Sequence, residues 1–440
     1  MAVTTIPLNL VRRSICPHCW KEFPPEDVLW ISSSNELLGD PRLGPTHQQR
    51  FLPTNFNLEG NAVDAKGFAC THLACPRCHL SVPRALLETE PYFASIIGHP
   101  ACGKSYFLAA MTWELQQILP QSFAYYFIDA DPVANRLLEE YKESLFMNEN
   151  GDKLVPLANL IRKTETEGEL YDIVSFGEQT VRYARPFIFS LQPQENHPHH
   201  SNRDRYCRTL CLYDNAGEHF LPGMDSTNSP VTHHLAQSRA LLFLYDPTLD
   251  QRFRALCQKT GINTVSMSAG KVGQQVQILS EAAARIRRYA GLPSNAKHDR
   301  PLMVVVTKFD AWASLLEDND ITPPWIQVGD LCGLDLERID NRSAALRALL
   351  LKVCPEVVAT AESFATNVKY VPVSALGRTP ELIPGTNHVA IRPSQIKPVW
   401  VTVPLLYALC RWSPAIIPGA RPKAKSNGQP PRKSPPTNRR

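Results

Sequence analysis

The sequence predicts an α/β protein with a mostly parallel sheet and helices on both faces, preceded by a small cysteine-rich module. Three observations favour this fold class. Continuous Val/Ile/Leu-rich runs alternate with segments of helical or loop pattern, which is typical of parallel strands buried on both faces. A glycine-rich loop joins the first of these runs to a helical pattern. Two Cys-Pro-x-Cys turns precede that loop in the chain.

Length and composition describe an ordinary globular protein. The 440 residues are 43% hydrophobic and 20% charged, which excludes a fibrous or wholly disordered chain. The formal net charge is +4, but residues 411–440 alone hold eight Lys and Arg and no acidic residue. The rest of the chain therefore carries 38 basic against 42 acidic residues. This distribution gives no indication that the folded part binds nucleic acid.

The composition also divides the chain into three expected regions. The cysteine-rich module is expected at residues 14–85 and the α/β domain at 86–412. Residues 413–440 are rich in Pro and basic, and we expect them to be a disordered tail. No run of about 20 apolar residues suggests a membrane span. The N-terminus lacks the small-residue cleavage pattern of a secretory signal, so we expect a cytoplasmic protein.

The two cysteine turns, Cys16–Cys19 and Cys75–Cys78, are the strongest signal in the N-terminal module. Each turn directs two thiolates at one point, and two turns complete a tetrahedral four-thiolate site for Zn2+. Such a site has no open position for substrate, so its expected role is structural. Since 55 residues separate the turns, an insertion must lie between them. The alternatives are two unrelated pairs of buried cysteines, or substitution by one of the nearby residues His18, Cys70, His72 and His79.

The glycine-rich loop has the spacing of a phosphate-binding loop. An apolar strand at Tyr92–Ile97 leads into Gly98–Ser105, which matches G-x-x-x-x-G-K-[ST] and is followed by a helical pattern. Backbone N–H groups of such a loop face a β-phosphate. Lys104 is expected to reach the β- and γ-phosphates and the Ser105 hydroxyl to bind Mg2+. The predicted phosphate-binding residues are Gly98, His99, Pro100, Ala101, Cys102, Gly103, Lys104, Ser105 and Tyr106.

Later apolar runs also end in short polar motifs. Four such pairs follow: Arg208–Tyr213 with Asp214–Gly217, Ala240–Tyr245 with Asp246–Pro247, Pro301–Val306 with Thr307–Asp310, and Tyr370–Val373 with Ser374–Leu376. In an open parallel sheet, ligands gather at the carboxyl ends of the strands. Asp214 is therefore predicted to hold Mg2+ through water, and Gly217 to offer its N–H to a γ-phosphate.

The series GHPACGKS, DNAG, TKFD and SAL, each after an apolar strand, resembles that of a GTPase of the translation-factor-related (TRAFAC) class over about residues 91–412. The resemblance implies a Ras-like sheet, GTP or GDP with Mg2+, and a switch between the two forms. It implies that Asp310 accepts hydrogen bonds from guanine, that Lys308 packs over the base, and that the Ala375 N–H reaches the guanine oxygen. Thr307 stands where Asn is commoner. The implied base-binding residues are Thr307, Lys308, Asp310, Ser374, Ala375 and Leu376.

A zinc-ribbon-like module followed by such a domain also resembles bacterial double-GTPase proteins, which are predicted to act in pairs. One phosphate-binding loop is visible in this sequence, so a second GTPase would be a separate chain. The resemblance therefore implies a protein partner, with another GTPase as one candidate.

Two departures from the GTPase pattern affect the expected rate of hydrolysis. Glu218 follows Gly217 where many of these proteins place a water-orienting Gln, and a carboxylate lies unfavourably near developing negative charge. Pro100 and Ala101 stand where Gly is frequent and crowd the loop. We predict Lys104 and Glu218 as the catalytic residues of a slow hydrolysis that depends on an Arg from a partner.

The switch threonine that would bind Mg2+ is placed between the loop helix and the second strand. Thr164 is the favoured residue, and Thr166 and Thr180 are the alternatives. The sequence thus predicts a GTP-binding switch protein whose zinc module docks a partner. Two other functions explain fewer of these motifs. They are an ATP-dependent kinase or ATPase, and a non-catalytic scaffold stabilised by nucleotide.

Overall fold

The structure is a computed structural model of the 440-residue chain. It describes residues 9–100, 102–161, 170–214, 217–220, 230, 232–261, 272–383, 385–386 and 388–420. At residues 218, 272 and 273 it describes the backbone alone.

A seven-stranded sheet forms the centre of the α/β domain. In chain order its strands are β1 (Glu90–Gly98), β2 (Tyr125–Asp129), β3 (Phe187–Pro193), β4 (Arg208–Asp214), β5 (Ala240–Tyr245), β6 (Leu302–Val306) and β7 (Val368–Pro372). Their spatial order is β2-β3-β4-β1-β5-β6-β7. The pairs from β4 to β7 are parallel, whereas β2 and β3 are antiparallel to each other and β3 is antiparallel to β4. The predicted parallel-rich α/β fold is confirmed.

Helices cover this sheet. Those in the described residues are α1 (Ala85–Glu88), α2 (Lys104–Phe123), α3 (Pro132–Phe146), α4 (Leu157–Leu160), α5 (Arg203–Tyr206), α6 (His234–Gln237), α7 (Gln251–Lys259), α8 (Val272–Tyr289), α9 (Leu336–Val353), α10 (Pro355–Phe364) and α11 (Val403–Trp412). Every residue of β5 and β6 is buried. Because successive strand residues point to opposite faces, both faces of these strands are covered. No helix in the described part of the chain is long and apolar enough to cross a membrane.

Short strands build the rest of the structure. Outside the central sheet they are Ser14–Ile15, Glu22–Phe23, Leu29–Ile31, Leu38–Asp40, Gly44–Gln48, Arg50–Phe51, Ala62–Val63, Ala69–Cys70, Leu73–Ala74, Ser81–Val82, Val155–Pro156, Tyr171–Phe176, Gln179–Ala184, Trp325–Val328, Leu331–Asp335, Glu381–Leu382, Val389–Ile391 and Gly419–Ala420. The segment between the two cysteine turns forms two hairpins, at 38–48 and 62–70. These hairpins are the insertion that the spacing of the turns requires.

The C-terminal boundary differs from the prediction. The composition predicts a tail from residue 413, but Gly419 and Ala420 pair in parallel with Leu334 and Asp335. Ile416 and Ile417 are buried, and burial of two Ile side chains stabilises this segment against the domain. The folded part therefore continues to residue 420, and residues 421–440 lie outside the described chain.

Candidate functional site

The polar motifs meet at one edge of the central sheet. β1 ends at Gly98, β4 ends at Asp214, and β5 leads into Asp246. These strands are parallel neighbours, so their carboxyl ends lie side by side. β1 lies between β4 and β5, where chain connections leave in opposite directions, and this is the usual ligand crevice of an open α/β sheet.

Two glycines allow the phosphate loop to close tightly over the start of α2. A Cβ on Gly98 would lie 2.7 Å from Cys102 Sγ and 2.9 Å from the Leu244 carbonyl oxygen. Gly103, at the N-cap of α2, has a φ of +92°, which favours glycine. The spacing of glycines in the motif thus has a steric cause in this chain.

Lys104 lies inside the loop that it follows. Its ammonium Nζ donates to the carbonyl oxygens of Gly98 at 3.2 Å and His99 at 3.3 Å. Only 6% of the residue is exposed. An ammonium group is therefore enclosed by the loop, and its charge is complementary to that of a phosphate.

Ser105 and Asp214 form the second polar pair of the site. The Ser105 hydroxyl donates to Asp214 Oδ2 at 3.1 Å, and 3% of Asp214 is exposed. Burial raises the pKa of Asp214, although the Lys104 charge and the Ser105 hydrogen bond act against this rise. The other oxygen, Oδ1, is buried and has no hydrogen-bond partner among the described residues. A hydroxyl beside an unsatisfied carboxylate oxygen is a donor set that fits Mg2+.

Gly217 brings the loop after β4 against the phosphate loop. A Cβ at this position would lie 2.5 Å from Pro100 Cδ and 2.6 Å from the Gly98 carbonyl oxygen. Contacts this short leave no space for a side chain. Glu218 follows in a 3-10 turn at Gly217–Phe220, and its side chain lies outside the described atoms.

Replacing Gly217 with Ala should force the two loops apart. We expect the free energy of unfolding to fall by about 1–3 kcal/mol, the usual effect of overpacking. The expected fall is to be measured by chemical denaturation. Gly151→Ala is the matched control, since its Cβ would meet its nearest atom at 3.3 Å. Equal stabilities of the two variants would contradict the close contact between the loops.

The segment after β6 places Lys308 and Asp310 beside the same edge. Lys308 has a φ of +56°, and its Nζ forms an ion pair at 2.5 Å with Oδ2 of the buried Asp246. Thr248 donates its backbone N–H to Asp246 Oδ1 at 2.9 Å. Asp246 therefore holds the Lys308 ammonium, and the Lys308 side chain as a whole is 41% exposed.

Asp310 is held by two hydroxyl groups. Ser374 Oγ donates to Oδ1 and Thr379 Oγ1 donates to Oδ2, the latter at 3.1 Å. Burial raises the pKa of Asp310 despite both hydrogen bonds. The sequence prediction named Ser374 but missed Thr379, because nothing local indicates that its hydroxyl turns back toward the end of β6.

The loop containing Ala375 and Leu376 is fixed by a neighbouring segment. Lys397 N–H donates to the Leu376 carbonyl at 3.0 Å, and Gly377 has a φ of +73°. A Cβ on Gly377 would lie 1.7 Å from the Lys397 carbonyl oxygen, so only glycine fits. The predicted base-binding loop is therefore rigidly attached to the segment before α11.

The start of α8 contributes two residues that sequence patterns did not indicate. His99 Nε2 donates to Gln274 Oε1 at 2.9 Å. Gln275 accepts from the Asp246 backbone N–H and donates to the Asp246 carbonyl, both at 2.9 Å. Adjacent glutamines thus connect the phosphate loop to the residue that holds Lys308.

Other predicted residues are placed as follows. The Cys102 thiol is 1% exposed and burial raises its pKa to about 11, so it is not an activated thiol. The Tyr106 hydroxyl donates to the Leu157 carbonyl at 2.6 Å. Thr180 is exposed in the hairpin strand Gln179–Ala184. Ala101, Thr164 and Thr166 lie outside the described residues.

The four cysteines of the two turns form one cluster. Their Sγ atoms all lie within 4.8 Å of one another, and all four residues are buried. Cys16 Sγ is 3.7 Å from Cys78 Sγ, and Cys19 Sγ is 3.7 Å from Cys75 Sγ. A tetrahedron with Zn–S bonds of about 2.3 Å has edges of about 3.8 Å. The cluster therefore fits Zn2+.

The backbone of both turns repeats the same pattern. Trp20 N–H donates to the Cys16 carbonyl and His79 N–H to the Cys75 carbonyl, each at 3.0 Å. Trp20 and His79 also share a positive φ, +54° and +63°. Two turns of equal geometry explain why the four thiols converge.

The alternative ligands have other partners. Cys70 Sγ lies 3.8 Å from Asp64 Oδ2, and His79 Nδ1 lies 2.8 Å from Asp40 Oδ2. Within the residues that the structure covers, the four-cysteine cluster is the one group of three or more metal-binding side chains. The predicted set Cys16, Cys19, Cys75 and Cys78 is confirmed as a cluster compatible with zinc.

Comparisons with known proteins give no assignment. No protein-family model matches the chain, and no curated protein matches it. Among solved structures it is similar to the S. cerevisiae Ski7 GTPase-like domain bound to GTP, at 14% identity and a TM-score of 0.25. That alignment covers 68% of this chain and 45% of the other, so this chain matches less than half of that structure.

A second solved structure is the signal recognition particle receptor SRb-GTP/SRX complex from Chaetomium thermophilum. It is 16% identical with a TM-score of 0.22, over 66% of this chain and 95% of that chain. At these TM-scores neither structure defines the fold or the function of this protein.

Proposed function

We propose that this protein binds GTP and GDP with Mg2+ and acts as a switch that hydrolyses GTP slowly. The observation that carries the proposal is the buried pair of Ser105 and Asp214 beside Lys104. It combines an enclosed positive charge with a carboxylate oxygen that has no partner among the described residues. Phosphate and Mg2+ supply the complementary charges.

In the proposed complex, the backbone N–H groups of the loop and of the first turn of α2 hold the β-phosphate. Lys104 turns from the carbonyls of Gly98 and His99 to the β- and γ-phosphates. Ser105 and, through water, Asp214 would hold Mg2+, and the ion would supply positive charge that neutralises the phosphate oxygens. Gly217 lies against the loop, where its N–H can donate to the γ-phosphate.

Guanine selection is assigned to Asp310. Each carboxylate oxygen accepts one hydroxyl hydrogen bond and retains a second lone pair for a ligand. Two adjacent oxygens match the two neighbouring N–H donors of guanine, whereas adenine offers no such pair. The Lys308 stem packs on one face of the base, with its ammonium held by Asp246. Ala375 N–H donates to the guanine oxygen, and Thr307, Ser374 and Leu376 shape this loop.

Slow hydrolysis follows from the residue proposed to orient water. Glu218 stands in the sequence where many GTPases have a water-orienting Gln, and a carboxylate in that role would repel the negative charge that develops in the transition state. A partner that supplies an Arg would remove this barrier. We assign partner docking to the zinc module, and Thr164 to the Mg2+ shell in the GTP form.

The test is a titration of the purified protein with fluorescent GTP, GDP and ATP analogues, with and without Mg2+. We expect binding of both guanine nucleotides and at least about 100-fold weaker binding of ATP, since adenine offers the Asp310 carboxylate no neighbouring pair of N–H donors. Equal binding of ATP would overturn guanine selection and favour an ATP-dependent enzyme. Bound nucleotide without turnover under any condition would favour the scaffold.

Replacing Asp310 with Asn should change the preferred base. Loss of two charge-assisted hydrogen bonds, each worth about 1.5–3 kcal/mol, should weaken GTP binding about 100-fold or more. The amide donor should at the same time improve binding of xanthosine triphosphate. Competition titrations measure both changes. Asp330→Asn, in an exposed turn, is the control and should leave both affinities unchanged. Unchanged affinities in Asp310→Asn would show that Asp310 does not select guanine.

A further inference from the structure

Tyr213 lies between the cysteine cluster and the proposed Mg2+ site. It is the residue before Asp214 in β4 and is completely buried. Its hydroxyl donates to the carbonyl of Pro17 at 2.5 Å and accepts from Trp20 Nε1 at 3.2 Å. Pro17 is inside the first cysteine turn, and Trp20 directly follows it. One side chain of the central sheet is thus hydrogen-bonded to a residue inside the first cysteine turn and to the residue that follows it.

The surroundings of Tyr213 form a continuous packed group. Its ring stacks on His234 with centroids 4.5 Å apart and an interplanar angle of 11°. His234 Nδ1 lies 2.5 Å from the Ser95 hydroxyl in β1, the strand that carries the phosphate loop. Trp20 packs edge-on against Tyr183, with centroids 6.0 Å apart. The cysteine turn therefore contacts β4 directly and reaches β1 through His234.

Because Tyr213 and Asp214 are consecutive residues of β4, the contact between Tyr213 and the cysteine turn affects the position of Asp214. Consecutive residues of a strand point to opposite faces, so Tyr213 faces the cysteine turn while Asp214 faces Ser105 in α2. They share one peptide bond. A displacement of the Tyr213 backbone therefore moves the Asp214 carboxylate relative to the Ser105 hydroxyl.

We propose that Tyr213 is a positioning residue through which the zinc-loaded cysteine turn fixes Asp214 for Mg2+. Zinc binding and Mg2+-dependent nucleotide binding are then thermodynamically linked, and each strengthens the other by the same factor. This proposal rests on the proposed nucleotide function. It adds that the zinc site sets the Mg2+ affinity of the nucleotide site.

The direct test compares wild type with Tyr213→Phe, which keeps the stacked ring and removes the hydroxyl. Affinity for a fluorescent GTP analogue is measured over a Mg2+ series and also in Mg2+-depleted buffer without chelator, with the zinc content confirmed under both conditions. We expect the variant to need about 10-fold more Mg2+, within the usual range of coupling between sites. Its affinity without Mg2+ should equal that of wild type. A general loss of structure would lower both affinities.

The matched control is Tyr92→Phe. Tyr92 is a buried tyrosine of β1, the strand next to β4, and its hydroxyl has no hydrogen-bond partner among the described residues. We expect its Mg2+ requirement to match that of wild type. A shift equal to that of Tyr213→Phe would overturn the proposal, because loss of any buried hydroxyl would then give the effect.

The reciprocal measurement is the rate at which zinc passes to a chromophoric chelator. In wild type, Mg2+ with GTP should slow this release, and in Tyr213→Phe the slowing should disappear. If Tyr213→Phe fails to fold, Trp20→Phe replaces it, because this change removes the indole N–H that donates a hydrogen bond to the Tyr213 hydroxyl.

The outcomes separate the two proposals. No nucleotide binding by wild type would overturn both the proposed function and the link. Two outcomes would overturn the role of Tyr213 alone. In the first, wild type binds nucleotide but Tyr213→Phe needs no more Mg2+ than wild type. In the second, Mg2+ and GTP do not change the rate of zinc release from wild type.

Discussion

Replacing Lys104 with Ala should lower the affinity for GTP at least about 100-fold, since charge-assisted hydrogen bonds to phosphate contribute about 1.5–3 kcal/mol each. The effect should be large because the ammonium is almost fully buried and is held inside the loop by the Gly98 and His99 carbonyls. Water screens such a charge poorly. Titration with a fluorescent GTP analogue measures the change.

The control for this variant is Lys259→Ala, which removes an exposed lysine at the end of α7. We expect wild-type affinity for it. Lys104→Arg adds a second comparison, because it keeps the charge but replaces the compact ammonium with a larger planar guanidinium. Full GTP affinity in Lys104→Ala would show that phosphate binds elsewhere, and the proposed function would fail with it.

Replacing Cys75 with Ser should empty the metal site and unfold the N-terminal module. Zinc in sites of this type contributes about 10–16 kcal/mol at neutral pH, more than the stability of a typical domain. The module depends on this contribution because most of its strands are two or three residues long. The zinc content measured by elemental analysis should fall from about one zinc per chain toward zero. Limited proteolysis should then cut within residues 14–85.

Cys70→Ser is the matched control within the same module. Cys70 is as buried as the ligands, but its thiol lies near Asp64 rather than in the cluster. We expect it to retain one zinc and resist proteolysis. Loss of zinc from this variant, or a full equivalent retained by Cys75→Ser, would contradict the four-thiolate site.

The parts of the fold that the sequence predicted are those with local signals. The run from Tyr92 to Ser105 predicted strand, loop and helix because each has its own pattern within a few residues. Each cysteine turn was also predicted from a pattern of four consecutive residues. Asp214 and Asp310 could be placed together because parallel strands bring their carboxyl ends to one edge of the sheet.

The remaining contacts depend on residues that are far apart in the chain. Gln274, Gln275 and Thr379 have no motif, and their roles follow only from where their backbones pass. The strand at Gly419–Ala420 is two residues long in a Pro-rich segment, so composition indicated a tail. Its pairing with Leu331–Asp335 is a tertiary contact that overrides local preference.

The wide separation of the cysteine turns sets an order of events during synthesis. A ribosome adds about 5–20 residues per second, so Cys16 and Cys19 wait several seconds as a free dithiol before Cys78 is made. All four ligands nevertheless exist before β1 begins at Glu90. Tyr213 is added about 135 residues after Cys78, several seconds after the four cysteines are complete. The partners of the Tyr213 hydroxyl, Pro17 and Trp20, are therefore both synthesised long before the last residues of β4.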